Sequence, residues 1–367
     1  MSHLFSEFRL RGATFANRIG VSPMCQYSCE DGYANDWHFA HLSSRAVGGA
    51  AVVFTEAAAV TPEGRISPQD LGVWSDKHFE PLERIARFVK AQGAVAGVQL
   101  AHAGRKASTR RPWSGQGSIP DSEGGWRTVG PSPLSFGKGY ATPEELSLDR
   151  ILAVQQAFAT AAKRAYAAGF SVIEVHAAHG YLAQEFLSPL SNARADAYGG
   201  SFDNRTRFLR ECVTAIRSAL PDRCPLFVRI SATDWTDGGW DIEQSIELAR
   251  RLKTLGVDAI DCSSGGNVEN AVIPVGPGYQ VPFAERIRRE AGVATAAIGM
   301  ITAPAQADQI IRNGEADMVL LAREMLRDPY WPLRAARELG QVASWPAQYL
   351  RAAPRGAPQR TPAPDID

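Results

Sequence analysis

Eight short apolar runs rich in Val, Ile and Ala punctuate the chain: RIGVS (18–22), AAVVFTE (50–56), VAGVQL (95–100), SVIEVH (171–176), PLFVRI (225–230), VDAIDCS (257–263), VATAAI (293–298) and ADMVLL (316–321). They are continuous rather than alternating, the pattern of strands buried on both faces, as in a parallel sheet. Between them lie stretches with helical periodicity. SDKHFEPLERIARFVKAQG opens at Ser75, repeats apolar Phe79, Leu82, Ala86 and Val89, and closes at Gly93. SLDRILAVQQAFATAAKRAYAAG follows the same plan from Ser147 to Gly169, with Ile151, Val154 and Phe158 on one face. DIEQSIELARRLKTLG and TAPAQADQIIRNG each begin with a capping Asp or Thr and end at Gly. Strand and helix in regular alternation predict a closed (β/α)8 barrel of the triosephosphate-isomerase type, within one domain spanning residues 1–351. An open doubly wound sheet is the alternative, because strand order is invisible in a sequence.

Two stretches depart from a minimal barrel. Residues 107–146 hold many Gly, Pro and Ser between the third strand and its helix, too long for an ordinary loop, and predict a cap over the barrel mouth. The Pro-rich 352–367 segment has few apolar residues and is expected to be disordered. Lys plus Arg and Asp plus Glu balance at 39 each, which argues against nucleic acid or an anionic membrane as main partner. No run of some 18 apolar residues predicts a membrane span, and no signal peptide is evident at the amino terminus. The five scattered cysteines fit a reducing cytoplasm. Cys25 and Cys29, without nearby partners, make a poor zinc site.

In such a barrel, chemistry gathers where the strands end. The residues there are SPMCQY, EAAAV, QLAHAGRK, HAAHGY, RISATDW, CSSGG, GMI and AREML, in chain order. Ser263, Gly265 and Gly299 after strands six and seven, with Arg323 after the eighth, suit an anion grip of backbone N–H groups and a guanidinium. Gln99 and Arg229 could hydrogen-bond a planar heterocycle. His176, His179 and Tyr181 offer donors to a substrate oxygen and a phenolic proton. Each residue also has a structural reading: Arg323 as half of a surface ion pair, the glycines as turns, Cys25 as a small hydrophobe, Tyr27 and Tyr181 as core aromatics. His38 and His41 share the three-residue spacing of the other pair, but they follow no strand and are expected on a helix packed beside the barrel. A metal-dependent hydrolase using His176 and His179 would want His-x-His on the first strand and Asp ending the eighth, where this chain has Met24, Cys25 and Arg323.

SPMCQYS (22–28), EAAAVTPEGRIS (56–67), QLAHAGRKA (99–107), HAAHGYLAQEFLSPLSNARADAYGGSFDNR (176–205), FVRISATDW (227–235) and DCSSGG (261–266) together resemble the Old Yellow Enzyme family of FMN-dependent ene-reductases. The Cys in the first motif is similar to the thermophilic-like, class III branch. The resemblance implies that Ser22, Pro23, Met24, Cys25, Ala57, Gln99 and Arg229 line a bound, non-covalent FMN, with Ser263, Gly265, Gly299 and Arg323 on its ribityl and phosphate. It further implies that His176 and His179 bind the substrate oxygen, that Tyr181 donates the proton, and that Tyr27 and Lys106 border the substrate pocket. The implied reaction is a ping-pong one: NADPH reduces FMN, whose N5 then returns hydride to an activated C=C bond. No metal is implied. A homodimer or homotetramer is, with Arg351 of QYLR reaching a neighbouring site. Ala296 and Ala322 stand where the family commonly has glycine, a cost of about 1 kcal/mol if either backbone needs positive φ.

Overall fold

The computed structural model describes residues 3–364, and its centre is a closed barrel of eight parallel strands. In chain order these are β1 (Ile19–Val21), β2 (Val52–Ala59), β3 (Val95–Ala101), β4 (Val172–Ala177), β5 (Leu226–Ser231), β6 (Ala259–Ser263), β7 (Ala294–Ala297) and β8 (Met318–Leu321). Each pairs with its sequence neighbours, and β8 closes on β1. The doubly wound alternative is thereby overturned, and every strand lies within about two residues of its apolar run. The one long deviation is β2, which runs past Glu56 to Ala59 through a register shift against β3 between Phe54 and Ala57.

Ten helices surround or decorate the barrel: α1 (Asp36–Val47), α2 (Phe79–Ala91), α3 (Leu148–Ala167), α4 (Leu182–Leu187), α5 (Phe202–Ala219), α6 (Ile242–Thr254), α7 (Val281–Ala291), α8 (Pro304–Arg312), α9 (Arg323–Arg327) and α10 (Trp331–Glu338), counting the described residues. Their starts follow capping chemistry: Ser147 accepts from Arg150 N–H and Asp241 from Gln244 N–H. Ser75 caps a 3-10 turn, Asp76–His78, that leads into α2. Thr302 is no cap: Ala303 holds that position without a side-chain bond, while Gln306 Oε1 takes the Thr302 N–H. His38 and His41 lie buried on α1, and burial, followed by Arg45, pushes His41 down to about 3.

A hairpin of Phe8–Leu10 with Ala13–Phe15, which no apolar run foretold, plugs the amino-terminal mouth. Its Phe15 joins Val52, Phe54, Val172, Phe227, Met318 and Leu320 in one apolar cluster. Phe54 has room inside because residue 97 is glycine; a Cβ there would sit 2.5 Å from its ring. Above this plug the barrel interior turns polar, with Gln99, Glu174, Arg229 and Asp261 all buried. The lower half therefore supplies hydrophobic stability and the upper half carries chemistry.

Residues 107–146 contain little regular structure beyond a 3-10 turn, Asp121–Glu123, and a two-residue pairing of Val129–Gly130 with Glu144–Glu145. They pack on the barrel's upper face through Trp113, Trp126 and Phe136, against Tyr27, Ile66 and Lys106 respectively. The tail differs from expectation. Residues 352–364 follow a defined course instead of being disordered, and 365–367 lie outside the described residues. The reason is Arg360, whose guanidinium donates to the carbonyls of Ala46 and Val47 ending α1, Gln92 after α2, and Ser344. It satisfies helix-terminal acceptors at the negative ends of two dipoles. Arg360 N–H bonds Trp345 O at 2.8 Å and Ala363 N–H bonds Lys90 O at 2.9 Å. Composition misled because one arginine, not an apolar face, anchors the segment; its prolines also lower the entropy lost on ordering.

Arg360→Ala is expected to lower stability by about 2 kcal/mol, read as an earlier thermal transition, with Arg360→Lys falling less. An unchanged transition would show that the tail merely rests on the surface.

Candidate active site

The site is built from strand ends inward. On β4 the alternation places Glu174 and His176 on the barrel's inner face, and β5 and β6 bring Arg229 and Asp261 alongside: His176 is level with Arg229, and Arg229 with Asp261. Arg229 Nη1 donates to Ser22 Oγ at 3.0 Å, and its Nε lies 3.2 Å from Asp261 Oδ2. Gln99, level with both Ala57 on β2 and Glu174 on β4, donates through Nε2 to Glu174 Oε1 at 2.8 Å. That bond uses one amide N–H and leaves Gln99 both a second N–H and its carbonyl oxygen. Burial, then the nearby Asp261, pushes Glu174 up to about 8, so it is a neutral acid at neutral pH. Burial also raises Asp261, against the pull of Arg229.

Beside this layer, Ser22, Arg229, Ser263, Tyr279, Gly299 and Arg323 line a cavity of about 300 Å3 at the ends of β1, β5, β6, β7 and β8. Gly299 has φ +107°, and a Cβ would stand 2.9 Å from Gln280 Nε2, so this wall must be bare backbone. Two guanidiniums, serine hydroxyls and exposed backbone are the donor set a phosphate-bearing group requires. Ala322 has φ −102° and Ala296 lies in β7 outside the positive-φ residues, so neither alanine carries the conditional strain considered above.

The β4 loop holds the two histidines. Ala178 N–H donates to His176 Nδ1 at 3.2 Å, which leaves the proton on Nε2. That nitrogen stands 3.3 Å from His179 Nδ1, while His179 Nε2 is 2.7 Å from Ser263 Oγ. Burial, with Arg229 next, holds both imidazoles well below the usual histidine range, so both are neutral. Tyr181 packs edge-on against His176 at 4.9 Å, and burial keeps its phenol protonated.

This loop is folded back sharply. His179 has φ +60° and Gly180 φ +72°. The CSSGG loop after β6 meets it so closely that a Cβ on Gly266 would lie 2.6 Å from His179 Cα, and one on Gly180 2.3 Å from Gly266 O. Lys106 Nζ joins the two loops, donating to His179 O at 2.8 Å and Gly266 O at 3.0 Å. Desolvation brings its ammonium down to about 8, and Phe136 and Tyr181 present ring faces to it at 4.3 and 5.3 Å. Ser231 Oγ accepts the His179 N–H and donates to Gly265 O. Gln184 Oε1 accepts the Gly180 N–H and is itself oriented by Asp234.

Opposite stands the loop after β1, with Pro23, Met24, Cys25 and Tyr27 partly exposed. Cys25, Tyr27, Trp126 and Tyr181 share a small cluster with Ile66, Ala103 and Ala107. Tyr27 has φ +50° and meets Trp113 edge-on at 5.8 Å. The structure thus brings together all the residues singled out from sequence except Arg351, which is exposed on the 3-10 segment Ala347–Ala352. Reading strand ends missed Gly180, Gly266, Ser231, Gln184 and Glu174. Glu174 had a signal, a carboxylate inside an apolar strand; the others became visible only as contacts. Among the described residues, no group of three or more His, Cys, Asp or Glu is placed to hold a metal.

Fold and site together define a flavin-dependent (β/α)8 oxidoreductase. The chain belongs to the NADH:flavin oxidoreductase / NADH oxidase family, whose description matches residues 3–341, and within it to the Old Yellow Enzymes; it is an FMN-dependent NADPH oxidoreductase. An NADPH dehydrogenase of Geobacillus sp. (strain WCH70) is 51% identical over 350 residues, covering 95% of this chain and 98% of that relative. Among solved structures, a single-residue variant of morphinone reductase in complex with tetrahydroNAD superposes with a TM-score of 0.76 at 25% identity, over 95% of this chain and 93% of that one. A 2-naphthoyl-CoA reductase aligns with a TM-score of 0.83 at 25% identity over 92% of this chain, which spans about half (52%) of that larger chain. No helix among the described residues is long and apolar enough to cross a membrane.

Gly266→Ala should push the two loops apart, leaving FMN content unchanged but weakening binding of a phenol to the histidine pair by more than about tenfold, since positive φ and the Cβ contact each cost about 1 kcal/mol or more. A variant titrating like the parent would show that the loops adapt.

Proposed function

We propose that the protein reduces activated C=C bonds, in α,β-unsaturated aldehydes, ketones, maleimides and nitroalkenes, by a ping-pong cycle with NADPH. The observation that carries this reading is the pair of neutral imidazole edges, His176 Nε2 and His179 Nδ1, facing one another 3.3 Å apart beside the half-buried phenol of Tyr181. When bound, FMN supplies the hydride that it takes from the nicotinamide; the chain supplies position, charge and the proton. Ser22, Gln99, Arg229, Ser263, Gly299 and Arg323 would hold the cofactor, with Pro23, Met24, Cys25, Ala57 and Gly265 beside it.

Ser263 governs whether the histidines act as two donors. Its bond to Gln280 is long, 3.4 Å, and Gln280 Oε1 already accepts from Ser264 at 2.7 Å. With the Ser263 proton turned to His179 Nε2 across their 2.7 Å contact, the His179 proton sits on Nδ1. Two N–H groups then converge on one point, an arrangement that a carbonyl or nitro oxygen relieves by accepting both. Each such preorganised donor is worth roughly 3 kcal/mol to a developing enolate. Because the imidazoles are neutral, they polarise the oxygen without giving up a proton. Tyr181 keeps its proton until carbanion character develops at the α-carbon, and general-acid help of this kind adds about 10²- to 10⁴-fold. Tyr27, Lys106 and the cap aromatics border the substrate and exclude water.

The tetrahydroNAD complex of morphinone reductase supports a nicotinamide as the source of hydride in this chain. The five free thiols support residence in a reducing cytoplasm. We further propose a homodimer or homotetramer in which the exposed Arg351 reaches a neighbouring site.

Purified protein should be yellow, with a flavin spectrum; a colourless sample that FMN does not reconstitute would sink the reading. Tyr181→Phe should slow the oxidative half-reaction at least about tenfold while sparing NADPH oxidation in stopped flow. Equal slowing of both halves would remove Tyr181 from the proton step.

A further inference from the structure

The cap of residues 107–146 is seated on the loop that follows β2, and four consecutive carbonyls of that loop hold it and its stem. Glu63 O accepts the indole N–H of Trp126 at 2.9 Å, Gly64 O the Ala103 N–H at 2.8 Å, Arg65 O the Ser108 N–H at 3.4 Å and Ile66 O the Thr109 N–H at 2.7 Å. Arg65 adds a second tie through its side chain. The guanidinium donates to Pro62 O at 2.8 Å and Pro68 O at 3.1 Å, so it is fixed by its own loop. Its Cζ lies 5.0 Å from the Trp126 ring centroid and 5.3 Å from that of Trp74, both within cation–π reach. Trp126 is gripped at its backbone as well, where its N–H donates to Ser108 Oγ at 2.9 Å. Ser108 takes φ +55°, a left-handed conformation that a residue with a side chain keeps only when its surroundings over-determine it.

The indole so anchored reaches the site. Trp126 is half-buried and packs on Ile66, Ala103 and Ala107, the three buried residues on which Cys25, Tyr27 and Tyr181 also pack. A substrate lying against Tyr181 therefore meets a wall that the cap supplies. Trp113, the other indole of the cap, touches Tyr27 edge-on but is 63% exposed, and offers no comparably fixed surface.

We propose that Trp126 is a specificity-determining residue, the wall that limits the bulk a substrate carries at its β-carbon, and that Arg65 is the residue positioning it. The inference rests on the reading that the substrate is held by the histidine pair and protonated by Tyr181. It adds a fixed boundary to that pocket. A cap pinned by four carbonyls and a guanidinium selects by rejection, because a close-packed ring does not move aside for a group larger than the space beside it.

The holoenzyme and its Trp126→Ala, Trp126→Phe, Arg65→Met and Arg65→Lys variants would be assayed with crotonaldehyde and cinnamaldehyde, two enals that differ in carrying a methyl or a phenyl group at the β-carbon. Trp126→Ala should raise the cinnamaldehyde-to-crotonaldehyde ratio of kcat/KM at least about tenfold, the range over which a pocket wall discriminates, and through KM more than kcat. Trp126→Phe, a smaller ring without the N–H, should move it less in the same direction. Arg65→Met should raise the ratio about two- to fivefold, the worth of one cation–π contact at a partly exposed site. Arg65→Lys, which keeps the cation, should fall between Arg65→Met and the parent. A Trp126→Ala ratio equal to the parent's overturns the proposal. So does an equal fall for both aldehydes, which would make Trp126 a prop of the cap only. An Arg65→Met ratio equal to the parent's removes Arg65 from the positioning. Binding of phenol and 4-phenylphenol, read from the long-wavelength flavin absorbance, gives the same comparison without turnover. A yellow parent that reduces neither aldehyde refutes the functional reading, and the presence or absence of a shift toward 4-phenylphenol in Trp126→Ala then decides this inference by itself.

Discussion

The upper face of this protein depends on one close approach, that between the loop after β4 and the loop after β6. Gly180 and Gly266 let two backbones meet where no Cβ fits, and Lys106 bonds a carbonyl of each. His179 accepts a left-handed backbone as a consequence, a cost of about 1–2 kcal/mol for a residue with a side chain. In return its imidazole turns toward both His176 and Ser263. Strain at a functional residue persists only when the surroundings over-determine it. Here Ser231, Gln184 and Asp234 do so with hydrogen bonds to the loop or to each other.

The barrel makes that approach possible by dividing its interior. Below, Phe15, Phe54 and Phe227 with their aliphatic neighbours fill the closed sheet and the hairpin seals it. Above, four polar side chains, Gln99, Glu174, Arg229 and Asp261, occupy the axis. A guanidinium paired with one buried carboxyl group, that of Asp261, would be a poor source of stability in itself. Its value is orientation: Arg229 is held toward Ser22 and the cofactor cavity, and the Gln99 amide is turned by a neutral Glu174. Burial sets the protonation of His176, His179, Tyr181 and Glu174 in the same sense, toward the neutral form.

Much of this was legible beforehand. The eight apolar runs lie where the strands are, because a strand buried on both faces is mostly apolar. Ser147 and Asp241 cap as their positions suggested, since capping is chemistry within four residues. Thr302 did not, because the helix begins one residue later than its position suggested, with Ala303 at the cap and Pro304 first in the helix. The tail escaped for a different reason: Arg360 finds its acceptors at residues 46, 47 and 92, more than 260 positions away.

By itself the sequence determined the period of the barrel, the residue types at its strand ends and, through long motifs, the flavoenzyme family. These are local or near-local properties, set by burial pattern and by side-chain chemistry. Only the tertiary structure decided which atoms of those residues face one another: that His179 turns to Ser263 and that Lys106 donates to two carbonyls. Those choices follow from loop paths and close packing between segments far apart in the chain, for which a linear pattern of hydrophobic and polar positions contains no term.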